Sequence, residues 1–328
     1  MATSVFLLFL PLIFFSSSSS STVDRSSRAS SLSVEHADDV LTSRNGIFSA
    51  GFFPVGDNAY CFAVWFSEPD SEGNRTIVWM ANRDQPVNGR KSELSVLKSG
   101  NVIITDAGRF TVWSTDTVSE SPQLLTKDMK LVSSRSQWNF SSGFYKLYFG
   151  DDNVLRLQYG GPHISGYWPK PWLMSWEAGR SIYNSSRIAF LDPWGYFSSS
   201  DNFNFTSADY GERVQRRLKL DYDGNIRLYS RNHRMEKWTV SWQAMSEPCM
   251  IHGTCGPNSI CSHVPHSGRK CSCLQGFKIR DRTDWSLGCV PEFNLTCTTN
   301  ETGFLKLSHV EFYGSDFGFF PNYTIGIV

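Results

Sequence analysis

The sequence has little of what membrane spans, nucleic-acid binders or common enzymes display. Its longest apolar run is Val5 to Phe15, VFLLFLPLIFF. No other stretch approaches the roughly 18 to 20 residues that cross a bilayer as a helix. Neither sign of charge dominates, since 31 Lys and Arg face 31 Asp and Glu, and no basic patch is concentrated anywhere. That excludes the electrostatic footprint of a nucleic-acid partner or an anionic membrane surface. There is no Gly-x-Ser-x-Gly elbow, no His-Glu-x-x-His and no Cys-x-x-Cys pair. An enzyme or a zinc module therefore finds no anchor, and no cofactor or metal is expected. No segment keeps a 3.6-residue period over three turns, which leaves an all-β chain.

What is present points to an oxidising, extracellular compartment. The apolar run is followed by six serines, Ser16 to Ser21, and suits a signal peptide over residues 1–21, although its leading region carries no Lys or Arg. Seven Asn-x-Ser/Thr sequons occur, at Asn74, Asn139, Asn184, Asn204, Asn294, Asn300 and Asn322; together with a signal peptide they read as a secreted glycoprotein. Six of the eight cysteines fall between Cys249 and Cys289, a density that suits disulfides. Aromatic residues make up 14% of the chain, and β-rich cores are their simplest use.

Short alternating strands fill residues 30–125, with examples at Ile47–Phe53, Ala59–Phe66 and Ile77–Met80, broken by Asn45-Gly46, Asn88-Gly89 and Ser99-Gly100-Asn101. LKSGNVIITDAGRFTVW (97–113) has a hairpin signature, two apolar runs around Asp106-Ala107-Gly108. A faint repeat joins 94–106, 147–159 and 218–230, each an apolar strand, an acidic or small turn, Asn or its neighbourhood, then a second strand.

Three ordered stretches carry a family resemblance. NGIFSAGFF (45–53) with TIVWMANRDQPV (76–87) and the hairpin above resembles the bulb-type, mannose-binding lectin domain of plant receptors. YNSSRIAFLD (183–192), DYDGNIRLYS (221–230) and WTVSWQAMSEPC (238–249) resemble the S-locus glycoprotein domain. CMIHGTCGPNSICS, KCSCLQGF and DWSLGCVP resemble an EGF-like module. Their order is that of the ectodomain of S-domain (G-type lectin) receptor-like serine/threonine kinases, most like the maize-type receptor kinases.

The resemblance implies a lectin β-prism over 30–125, an S-locus-like β region over 126–245 and an EGF-like module over 246–291. FLKLSHVEFYGSDF (304–317) resembles the start of a PAN-like segment, placed at 297–328. Relative to the family pattern the lectin region lacks one sub-sheet, since Gln123-Leu124 runs almost directly into Lys127 to Ser136; a truncated form is expected, whose missing sheet exposes apolar surface. The family continues into a membrane span and a cytoplasmic kinase, in single-pass type I proteins of the plasma membrane. It serves recognition of pollen, defence or developmental signalling. The implied partners are an extracellular protein or glycan ligand and full-length S-domain receptor kinases, with no nucleic acid and no span in this chain.

Bulb-type lectins grip mannose with Gln-x-Asp-x-Asn-x-Val-x-Tyr, whose amide, carboxylate and phenol converge on a hydroxyl pair. Registering Asn101 on the motif's Asn puts Leu97 and Ser99 at the Gln and Asp positions, so only the Asn remains. At the later hairpin Asp223, Asn225 and Tyr229 match, whereas Asp221 and Arg227 do not. These four residues, Asn101, Asp223, Asn225 and Tyr229, are the candidate carbohydrate contacts, and turn chemistry is the stronger reading of each. Spacing alone allows 15 pairings of the six clustered cysteines; the EGF resemblance selects Cys249–Cys261, Cys255–Cys271 and Cys273–Cys289. His263 and His266 stand near them without a zinc spacing, and Ser246-Glu247-Pro248 lacks the acidic pattern of calcium-binding modules. Cys61 reads as a buried thiol, and Cys297 as a cysteine whose family partners are missing. Asp316-Phe317-Gly318 spells a kinase magnesium motif by chance, because the Gly-rich loop, strand lysine and His-Arg-Asp loop are missing and Asn82-Arg83-Asp84 lies in a lectin strand. The competing functions are a mannose-binding lectin and a fragment of a membrane kinase whose span and kinase lie beyond residue 328.

Overall fold

A computed structural model describes residues 31–36, 39–97, 99–115, 124–161, 164–232, 236–264, 268–282, 284–293, 306–308 and 310. The expected signal peptide, Asn294, Asn300, Asn322, Cys297, His266, the Asp316-Phe317-Gly318 tripeptide and most of the PAN-like segment lie outside the described residues. Among those described there are strands, turns and two short 3-10 turns but no α-helix.

The first unit comprises β1 (Ser31–Ser33), β2 (Leu41–Thr42), β3 (Phe48–Gly56), β4 (Ala59–Phe66), β5 (Ile77–Met80), β6 (Glu93–Val96), β7 (Val102–Thr105) and β8 (Thr111–Ser114). They form two antiparallel sheets, ordered β1-β6-β7-β8 and β2-β3-β4-β5. Alternation aims Ala50, Phe52, Phe62 and Trp79 at Leu94 and Ile104 of the facing sheet, where they form a core with Val34 and Val87. Strand β4 is buried on both faces. Its other side, Cys61, Ala63 and Trp65, packs with Met80 and Phe140 in a second cluster, which explains the nearly unbroken apolar run AYCFAVWF.

The second unit holds β9 (Leu124–Leu125), β10 (Lys130–Ser134), β11 (Ser142–Phe149), β12 (Leu155–Gly160), β13 (Ile164–Trp168), β14 (Ala189–Leu191), β15 (Tyr196–Ser199), β16 (Asn204–Thr206), β17 (Gln215–Leu220), β18 (Ile226–Arg231) and β19 (Thr239–Gln243). Three sheets result, β10-β11-β12-β13, β16-β15-β14-β9 and β17-β18-β19. Each gives its inner face to one core: Leu147 and Leu157 from the first, Phe197 and Phe205 from the second, Leu220 and Leu228 from the third. The lectin segment was expected to run to residue 125, yet Leu125 pairs with Ala189 and sits in this second core. Strand β9 therefore belongs to the second unit.

Seven turns share one geometry, the one in the β4–β5 connection at Asp70, closed by Gly73, and six more. The N–H of the first residue bonds the carbonyl four residues on, and the N–H of the fourth returns to the first carbonyl; the other six start at Leu97, Asp106, Gly150, Asp192, Ser199 and Asp221. The fourth residue has positive φ in every case: Gly73, Gly100, Arg109, Asn153, Gly195, Asn202 and Gly224. This is a type I turn closed by a left-handed residue, the bulged three-residue hairpin that Gly and Asn favour. The stretches 94–106, 147–159 and 218–230 carry it at equivalent positions. A repeat that is faint in letters is plain in backbone geometry.

Strands β20 (Ser259–Val264) and β21 (Gly268–Cys273) pair, as do β22 (Phe277–Ile279) and β23 (Cys289–Pro291), in a small cysteine-rich module. It is welded to the second unit. Ile251 enters the three-sheet core, the Tyr145 hydroxyl donates to the His252 carbonyl at 3.1 Å, and Ser165 Oγ meets His252 Nδ1 at 2.7 Å.

Candidate functional site

Asn101 closes the turn between β6 and β7. Its carbonyl accepts from Leu97 N at 2.7 Å and its N–H donates to Ser99 Oγ at 3.4 Å. Leu97 and Ser99 stand where a sugar site needs Gln and Asp. Neither can supply an amide or a carboxylate, and Ser99 is used to cap the turn.

The β17–β18 hairpin has richer chemistry, all of it turned inward on the protein. Asp223 Oδ1 accepts from Asn225 N at 3.0 Å, the capping role that Ser99 plays in the first repeat. Asn225 is 2% exposed, and its amide bridges Met245 in both directions, donating to the carbonyl at 2.7 Å and accepting from the N–H at 3.1 Å. The Tyr229 hydroxyl donates to Asp221 Oδ2 at 2.6 Å. Arg227 stands where the motif has Val, and its guanidinium spans Asp221 at 2.7 Å and Asp223 at 2.8 Å. Lys219, opposite Arg227 in the register, adds a third contact to Asp221 at 3.0 Å. Burial pushes the Asp221 pKa up, but Lys219, Tyr229 and Arg227 outweigh it and hold the carboxyl below its ordinary value. Burial and the bond to Asp221 raise the Tyr229 phenol, which stays protonated. The site that a sugar would enter is filled by its own ion pairs.

The same strand face leads into the junction of the two units. Arg217 lies over Tyr229 at 5.1 Å and over Trp238 at 4.7 Å; Trp238 meets Phe66 of β4 at 4.9 Å. Burial lowers the Arg217 pKa to about 10, against the pull of Tyr229 and Asp221. Trp238 Nε1 donates to Thr76 Oγ1 at 3.1 Å, and Arg231 reaches the Pro69 carbonyl at 3.1 Å. A second clasp comes from Asn82-Arg83-Asp84, which forms a loop after β5 and is not the strand the sequence suggested. Arg83 donates to the Val132 carbonyl at 3.2 Å and to Ser142 Oγ at 2.9 Å, while Asp84 accepts from Ser142 N at 2.6 Å and Oγ at 2.7 Å. Asn82 holds the loop's other end on Phe62 N at 2.9 Å. Nothing in the letters Asn-Arg-Asp marks this role; the contacts join residues about fifty positions apart.

In the module, Cys249 is bonded to Cys261, Cys255 to Cys271 and Cys273 to Cys289, with Cα separations of 5.5, 5.6 and 5.7 Å. Cys61 is a free buried thiol, its pKa pushed up to about 12 by burial and by Asp84. Four sequon asparagines, Asn74, Asn139, Asn184 and Asn204, are exposed. Asn101 and the Asp223-Asn225-Tyr229 group lie in different sheets and are not brought together. Among the described residues no group of His, Cys, Asp or Glu is arranged to hold a metal, and no helix is long and apolar enough to cross a membrane.

Two family models match this architecture. That described as D-mannose binding lectin covers residues 76–134, and that described as S-locus glycoprotein domain covers 172–281. A receptor protein kinase of Zea mays is 37% identical over 88% of this chain and 40% of its own length. This chain matches the lectin and S-locus ectodomain of S-domain receptor kinases. Two Arabidopsis thaliana G-type lectin S-receptor-like serine/threonine-protein kinases agree, at 24% identity over 84% of the chain and 27% over 80%. The chain spans 39% and 38% of their lengths. No kinase domain is matched. The S-locus match runs past β19 through most of the cysteine module, in keeping with Ile251 sharing the second core. The lectin match likewise crosses the inter-unit passage into β10.

Proposed function

We propose that this chain is a non-catalytic extracellular recognition module, acting as the ectodomain of an S-domain receptor kinase acts, through a protein or glycan ligand. The observation that carries the reading is the match over 88% of the chain to the maize receptor kinase. Exposed sequons and three disulfides in the cysteine module support passage through the secretory pathway. Association with full-length S-domain receptor kinases is part of the proposal. The test is a pull-down from plasma-membrane extract with the secreted, glycosylated chain as bait. Recovery of S-domain receptor kinases supports it, and recovery of none contradicts it.

The mannose-lectin alternative requires the hairpin residues to face solvent unpaired, whereas Asp223, Asn225 and Tyr229 are each engaged within the protein. Retention on mannose-agarose, elution by free mannose and loss of retention in Tyr229→Phe would favour that alternative. The kinase alternative is decided by reading the transcript past Val328 for a span and a kinase frame.

A further inference from the structure

Between the two units lies a cleft of about 540 Å³ that none of the hairpin residues lines. One wall is the Asn45-Gly46-Ile47 turn ahead of β3, with Glu68 beside it; the other is Pro193-Trp194 and the Glu212-Arg213-Val214 segment leading into β17. Both walls are fixed by local bonds. Gly46 N donates to the Ser43 carbonyl at 2.8 Å, and Asn45 Oδ1 accepts from Ser43 Oγ at 2.8 Å and Ile47 N at 3.2 Å. Opposite, Asp192 Oδ1 accepts from Trp194 N at 2.9 Å, and Gly211 N donates to the Trp194 carbonyl at 3.0 Å. Arg216 ties this wall together, reaching the carbonyls of Pro193 at 2.9 Å and Glu212 at 3.0 Å.

Arg231 also lines the cleft, but its charge is spent on the scaffold. It is 2% exposed, and its guanidinium holds Gln215 Oε1 at 2.6 Å and the Pro69 carbonyl. Trp194 differs: its backbone is held at both ends while 45% of its surface stays open. An open indole on a held backbone, in a cleft also lined by Asn45, Asn232, Glu68 and Glu212, suits a sugar. The apolar C–H face of a pyranose packs on the ring, and neighbouring hydroxyls bond to amide and carboxylate groups. The lining sets Glu68 and Glu212 against Arg213 and Arg231, so it carries no net charge and gives an anionic sugar no advantage.

We propose that this inter-unit cleft binds a neutral oligosaccharide, with Trp194 as the stacking platform. The proposal rests on the recognition reading above and gives it a place and a ligand class. The test titrates the secreted full chain with mannotriose, cellotriose and xylotriose, followed by tryptophan fluorescence and saturation-transfer NMR. At least one trisaccharide is expected to bind. Trp194→Ala and Glu212→Gln should each weaken it by about tenfold, the loss of one stacking or charged hydrogen-bonding contact, with unchanged melting temperature, while Asn101→Ala leaves it as it was. Binding that survives Trp194→Ala, or no binding of any of the three, overturns the proposal. So does binding confined to an extended peptide. If the sugars fail but the chain and its Trp194→Ala variant both capture receptor kinases, the cleft is wrong and the recognition reading stands; if both assays fail, both are wrong.

Discussion

The two units use the same hairpin turn and close it into different bodies. The first packs two sheets on a core of eight buried residues, while the second packs three sheets around fifteen. The second encloses its own centre and adds a buried ion pair: Arg180 and Asp201 meet at 2.5 Å with side chains 2% and 0% exposed, and Trp168 and Phe203 cover the guanidinium at 4.3 Å each. The first instead meets its neighbour through Phe53 on Phe140, Phe66 on Trp238 and the Arg83-Asp84 clasp. The same local rules thus give one unit that is self-sufficient and one that leans on it. Fewer sheets around a core leave more apolar surface to be covered from outside.

Breaking the second unit's private contacts has the largest expected effect. Asp201→Ala leaves Arg180 buried and unpaired and also frees Leu155 N, which donates to Asp201 Oδ2 at 2.9 Å. A loss of about 4 kcal/mol is expected in urea unfolding. Leu228→Ala, at the meeting of three sheets and 0% exposed, should cost about 3 kcal/mol. Ile104→Ala, equally buried in the two-sheet core, should cost less, because a core closed by two sheets can collapse further into the cavity. Equal losses in the two variants would erase the distinction between the units.

A smaller effect separates the equivalent hairpins by pH. Asp221 has a folded pKa below its unfolded one, so the stability it contributes is present above about pH 4 and is lost as pH falls through the lower folded value. Urea midpoints between pH 5 and pH 2 should fall less steeply in Asp221→Asn than in the parent. Among the described residues the first unit's β6–β7 hairpin shows no such ion-pair cluster, so Asn101→Ala should leave the pH dependence of the midpoint as it is in the parent.

Much of this was legible in the letters. Strands β4 and β5 coincide with the alternating runs at Ala59–Phe66 and Ile77–Met80, and Gly100 and Gly224 mark the β6–β7 and β17–β18 turns because a left-handed residue is needed there. The filling of the candidate sugar site was not. Arg227 looks like a mere departure from the motif until the register sets it opposite Lys219 and within reach of Asp221 and Asp223. The passage between units was equally hidden, since Leu125 finds its partner Ala189 far along the chain. Trp194 lay among six tryptophans of residues 160–245 with nothing to single it out; only the fold shows that its backbone is held and its ring left open.

Differential scanning calorimetry of the secreted chain tests the central claim, that the first unit is held in register by the second. One cooperative transition is expected for both units in the parent. In Asp84→Ala, which frees Ser142 N and Oγ and removes the clasp's carboxylate, a smaller transition should split off at lower temperature while the larger one keeps its midpoint. Two independent transitions in the parent, or an unaltered single transition in Asp84→Ala, would contradict it.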